Sequence, residues 1–173
     1  DEIAVAAKVS RMTIFNYFAR KEDLMLDRED ELRLLPFREA LRTRPKGQPP
    51  IDALRRLVHG LRDQKHPFSR IERNTVDWWS VVASSPALMA RLRELGDEAA
   101  EGLAIELAGP KPDAVARLMA GIIALTVRTA REEAIRVLER GGSAKKANAA
   151  FLVLMDHGLD AASTYVEKTL EGK

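Results

Sequence analysis

Residues Asp1–Lys21, DEIAVAAKVSRMTIFNYFARK, hold two short helical patterns around a turn, and their reading decides the fold and function expected of the chain. In the first pattern, Asp1 to Ala7, the residues Ile3, Ala6 and Ala7 recur at helical spacing. Asp1 and Glu2 stand in the first turn, where carboxylates complement the helix dipole. Ser10 has the side chain of an N-cap: its hydroxyl can accept from the backbone N–H of Met12 or Thr13, with Val9 just outside the helix packing inward. A second helix therefore starts near Arg11. Ile14, Phe15 and Phe18 give it an apolar side, while Arg11, Met12, Thr13, Asn16 and Tyr17 lie on or beside the other. Two helices joined by a turn of about three residues, the second exposing an Arg, an amide and hydroxyls, form the layout that puts side chains into a major groove. An ordinary helical hairpin is the plainer reading.

The longer string AVAAKVSRMTIFNYFARKEDLM, residues 4–25, resembles the signature of the TetR family of bacterial transcriptional regulators. In that family an aromatic-rich turn follows the recognition helix and a Lys opens the next helix, matched here by Phe15, Tyr17, Phe18 and Lys21. The pattern V-S-x-x-T-x-x-x-Y-F-x-x-K-x-x-L carries the likeness, and the remaining residues resemble the family only in being helical. Two departures stand out. Lys8 occupies the turn where the family usually has Gly, so a residue with a Cβ must take a left-handed or nearby conformation at some cost. The family's DNA-binding domain also has an earlier helix, absent here with the start of the next and an initiator Met, so a truncated domain is expected.

A side chain reads sequence only where it reaches a base edge. Arg11 could fork onto a guanine, Asn16 could pair with an adenine or bond a phosphate, Thr13 could meet a thymine methyl or a phosphate, and Met12 could touch a methyl. Ser10 is better read as a cap than as a base contact. The resemblance implies that Tyr17 and Lys21 hold phosphates, and Lys21 would stand in a helix's first turn, where backbone N–H groups favour an anion.

Composition excludes more than it assigns. The chain has 173 residues, 46% of them hydrophobic, enough for one large domain or a small one joined to a larger. It lacks cysteine, which rules out a disulfide frame, a thiolate metal site and a Cys nucleophile, and makes a reducing, cytoplasmic setting the expectation. The longest apolar run, Leu118 to Val127, contains Thr126 and is far shorter than the roughly 20 residues a membrane helix requires. A formal charge of +2 is too small to argue for nucleic acid, so the motif alone carries that argument. His59, His66 and His157 are scattered, and no H-E-x-x-H, G-x-S-x-G, Walker or G-x-G-x-x-G element occurs. Asp156, His157 and Asp160 are neighbours without an identifiable third ligand, so no enzyme, metal or cofactor is expected.

Beyond Lys21 the pattern predicts helices throughout, with Pro and Gly at the breaks, and hence an all-α fold. Expected in order are a long helix from Lys21 to about Arg42, bent or interrupted at Pro36; Ile51 to about Lys65; a helix opened by Pro67; and Pro86 to about Ala108, closed by Gly109-Pro-Lys-Pro112. Two long helices follow, Asp113 to Glu139 and, behind the cap Ser143, a helix to Leu170 whose stripe runs from Ala147 to Tyr165 and Val166. Residues 1–27 are expected to form the truncated helix-turn-helix domain and 28–173 a helical bundle for effector binding and dimerisation. The family resemblance implies a homodimer through the last two helices; simple core helices of a monomer are the alternative.

Helical spacing puts Asn74 and Trp78 on one face, joined by Leu61, Arg62, Phe68, Met89, Met119, Ile123 and Thr126 as a candidate pocket for a small-molecule effector, against a plain bundle core. Trp78 and Trp79 point about 100° apart on a helix, so one is expected in the core. Arg128 and Arg131, on an otherwise apolar helix, could pair with an acidic ligand, though solvated or dimer-edge arginines are the plainer expectation. The function expected is a ligand-responsive regulator of double-stranded operator DNA, a repressor released by its effector. The alternative is a helical small-molecule-binding protein without DNA activity.

Overall fold

The computed structural model describes residues 2–26 and 29–171, excepting the side chains of residues 29–30 and 165–171. Asp1, the 27/28 domain boundary and the side chains of Tyr165 and Val166 lie outside that description. The described residues are all-α. The helices are α1 (Glu2–Ala6), α2 (Arg11–Tyr17), α3 (Glu29–Leu32), α4 (Leu35–Thr43), α5 (Pro50–Asp63), α6 (Arg73–Ser84), α7 (Pro86–Ala108), α8 (Ala114–Glu139) and α9 (Ala144–Glu171).

Local chemistry explains most of the ends. Ser10 Oγ accepts from the Thr13 N–H at 3.0 Å and starts α2, and Lys8 takes the left-handed conformation, φ 54°, that the turn demands. Ser85, Asp113 and Ser143 cap α7, α8 and α9 in the same manner, accepting from the N–H groups of Leu88, Ala116 and Lys146. Between α8 and α9, Gly141 at φ 82° lets the Gly142 N–H reach the Val137 carbonyl and its own N–H reach Leu138, which turns the chain back within a few residues.

Two expected helices are corrected. Lys21 to Arg42 is no continuous helix but a 3-10 turn (Lys21–Leu24), then α3 and α4. The break falls at Leu34, left-handed at φ 54°, and Pro36 sits in the first turn of α4. The ring of a proline clashes with the carbonyl four residues before it, which here is Leu32, the last residue of α3. Of the bend or interruption expected at Pro36, the chain takes the interruption, placed one turn before the proline. Pro67 likewise opens only a 3-10 turn, Pro67–Ser69; α6 begins at Arg73, where the Thr75 hydroxyl accepts from the Glu72 N–H.

The main core joins α4, α5, α8 and α9 around Phe37, Phe68 and Phe151, all fully buried, with ring centroids 5.2 and 6.1 Å apart along the series. A smaller cluster, Leu26, Val82 and Leu95 with Trp78, Met89 and Leu92 against it, fastens the N-terminal segment to α6 and α7. Helices α8 and α9 approach closely at Gly158, where a Cβ would overlap the Thr126 side chain. The N-terminal helices are far less covered. Ala4 is the one buried residue of α1, α2 has none, Ile3 is 55% exposed, and Val9 and Phe15, expected to face inward, are 43% and 54% exposed. Helices of five and seven residues offer no face long enough to be enclosed by the bundle, and no helix among the described residues covers them.

Candidate functional site

The outward side of α2 carries the side chains expected to read DNA. Ser10, Arg11, Met12, Asn16, Tyr17 and Lys21 are exposed and Thr13 is partly so. Within this face Ser10 and Thr13 share a hydroxyl hydrogen bond of 2.7 Å, which restrains Thr13, and the Arg11 guanidinium lies 5.5 Å from the centre of the Phe15 ring. Phe15 therefore serves as a platform for Arg11 and not as core. Lys21 stands in the 3-10 turn, 3.9 Å from Glu22.

Immediately behind this face a charged network binds the segment to α7. Asp23 is 4% exposed; its carboxylate accepts from Arg91 Nε at 2.8 Å and from the Arg20 N–H at 3.2 Å. Arg91, itself 8% exposed, also donates to Glu94 and Glu98, at 3.1 and 3.2 Å. Arg20 donates to Glu94 at 2.6 Å and Arg33 to Glu98 at 2.7 Å, which closes the network on both sides. The Asp23 hydrogen bond, with those of both glutamates, holds the Arg91 guanidinium above the usual arginine range. Hydrogen bonding from Arg20 first, then Arg91, lowers the Glu94 carboxyl, and Arg33 does the same for Glu98.

The opposite side of α7 borders a cavity of about 320 Å³, at the lower end of the volumes of small-molecule sites. Its inner wall is apolar: Leu34, Phe68, Ile71, Ala99, Val127 and Ile135 are buried there. Trp78 and Trp79, with ring centroids 6.4 Å apart, both border it, and Trp78 Nε1 donates to the Met25 carbonyl at 3.0 Å. Arg131 lies 4.4 Å above the Phe68 ring and 3.6 Å from Glu31. The wall that leads into α6 is pinned by Asn148 of α9, whose side-chain oxygen accepts from the Ile71 N–H at 2.9 Å while its nitrogen donates to the Ile71 carbonyl at 3.1 Å.

Of the side chains expected to line a ligand site, Phe68, Asn74 and Trp78 border this cavity. The others do not. Leu61, Met119 and Ile123 belong to the main core, and Met89 packs into the smaller cluster. Arg62 is exposed and paired with Asp63 at 2.7 Å, and Thr126 donates to the Ile122 carbonyl at 2.7 Å where α8 meets α9. Both indoles border the cavity, and Trp79 also packs against the main core, as expected of one of the two. Sequence reading missed Glu31, Arg70, Thr75 and Glu132 at the cavity; Arg128 and Arg131, three apart on an apolar helix, were the available signal.

Asp156 and Asp160 are both engaged by Arg55, and His59 Nε2 lies 3.1 Å from Asp156. On the outer side of the last two helices Leu118, Leu125 and Val153 are 46%, 52% and 52% exposed. No helix among the described residues is long and apolar enough to cross a membrane. Compared with models of known families, with curated proteins and with solved structures, the chain finds no match.

Proposed function

We propose that the protein is a cytoplasmic, homodimeric, ligand-responsive regulator of transcription that reads operator DNA with α2 and is released from it by a small molecule, without enzymatic activity. The observation that carries the reading is the α2 surface: Arg11, Asn16 and Tyr17 project outward from a helix capped by Ser10. The supporting observation is α7, which offers Leu92, Gly96 and Ala99 to the cavity and Arg91 and Glu94 to the segment that follows α2. A ligand that fits one position of α7 better than another would shift the equilibrium between DNA-competent and incompetent arrangements. The Leu118, Leu125 and Val153 surface supports association of two copies, which would set two α2 faces on successive grooves.

An electrophoretic mobility-shift assay on the DNA upstream of its own gene tests the reading. Retardation that Lys21→Ala weakens on every sequence supports it. Full-length protein that binds ligand but never that DNA would leave the helical small-molecule-binding alternative, which the cavity by itself favours.

A further inference from the structure

We propose that the cavity takes an amphipathic monoanion, a carboxylate on an apolar alkyl or aryl body, with its headgroup at Arg128 and Asn74 and its body against Trp78 and Trp79. This deepens the ligand-binding half of the proposed function and rests on it.

The inner wall sets the body. Phe68, Ile71, Val127 and Ile135 are buried and offer no side-chain donor, so a charge placed among them would lose its hydration without replacement. The charged end must therefore remain at the polar part of the lining, where Arg70, Asn74 and Arg128 are exposed.

The pairing of the charged lining residues decides the sign. Arg70 is occupied by Glu72 at 2.8 Å, and Arg131 by the Phe68 ring and Glu31. Arg128 touches Glu132 only at 4.0 Å, longer than a hydrogen bond, and Glu132 keeps Arg136 at 3.5 Å if Arg128 turns away. The Asn74 amide makes no hydrogen bond to a described side chain or backbone group, which leaves a second donor on the same cavity. A cationic headgroup meets the reverse situation, because Glu31 and Glu132 each already hold arginine. Binding a cation would strip a carboxylate from its partner, whereas binding a carboxylate recruits a guanidinium that gives up little.

Trp78 and Trp79 are the only tryptophans, so their emission reports occupancy directly. The experiment is a fluorescence titration with decanoate and 4-phenylbutyrate as alkyl and aryl carboxylates, and with decanol and decylammonium as neutral and cationic probes. At least one carboxylate should bind more tightly than decanol and decylammonium. Arg128→Gln should weaken that carboxylate about tenfold or more and leave decanol unchanged, and Arg128→Lys should recover part of the loss. The proposal is overturned if neither carboxylate binds, if decanol or decylammonium binds as tightly, or if Arg128→Gln weakens decanol equally. Because the readout needs no DNA, carboxylate binding that leaves the mobility shift untouched would defeat the regulator and spare the ligand class. Decylammonium that releases DNA would do the opposite.

Discussion

Gly158 has no room for a side chain, because a Cβ there runs into Thr126 across the α8–α9 contact. Alanine is intrinsically better than glycine within a helix by about 1 kcal/mol, yet overpacking costs about 1–3 kcal/mol, so Gly158→Ala should lower stability in urea unfolding and Thr126→Ala should restore part of it. Gly60, with open space around it, should show the reverse and gain up to about 1 kcal/mol as alanine. On α2, Arg11→Ala should relax preference at one base pair by about 1–3 kcal/mol, whereas Lys21→Ala should weaken every sequence and flatten the salt dependence. Titrations against operator variants at two salt concentrations separate the two effects, and equal losses on all variants for both would contradict the assignment. Individual residues were legible where the cause is local. The Ser10 cap and the left-handed Lys8 follow from neighbours within a few positions. Phe15 was not, because its exposure depends on what lies across from α2, which no spacing encodes.

At the scale of elements, α7 joins the cavity to the segment that follows α2. Removing its Arg91 leaves Asp23 a nearly inaccessible carboxylate without its cation, a loss of about 3 kcal/mol for pairs of this kind. Arg91→Ala should therefore unfasten the N-terminal segment, measured as protease cleavage near residues 20–26 before the bundle unfolds. Acid acts on the same network. Glu94 and Glu98 have lowered folded values, so their contribution is complete above the ordinary glutamate pKa, about 4.3, and disappears as pH falls through the folded values. Arg33→Gln removes the foremost cause for Glu98 and brings its folded value back toward the ordinary one, so thermal stability at neutral pH should drop while the further loss on acidification becomes smaller and is complete at higher pH. Helix existence was legible from the 3.6-residue rhythm, the start of α7 from Pro86 and that of α9 from its cap Ser143. An interruption near Pro36 was legible as the alternative to a bend, but its exact place and the break before Arg73 were not. Apolar stripes continue across Leu34 and Arg70 whether or not the backbone does, and only the clash between Pro36 and the preceding turn decides where one helix ends.

Taken whole, the chain was legible as an all-α fold but not in which faces would meet. Periodicity told that Met119 and Ile123 are buried; it did not tell that they face the main core while Trp79 and Arg131 meet the cavity, because that depends on contacts between helices far apart in sequence. The proposed pairing of two copies is tested through Leu125, which is half exposed on α8. A desolvated carboxylate without a partner opposes association strongly, so Leu125→Asp should sediment as a monomer while its helical circular dichroism is retained. Asn148 adds a further consequence. The residue that clamps both backbone groups of Ile71 stands on α9, the helix that also presents Val153 outward. Were two copies to pair through α9 as proposed, this amide would be one route by which subunit association and ligand occupancy become linked equilibria. Apparent ligand affinity should then vary with protein concentration, and it should vary less once Asn148 is replaced by leucine.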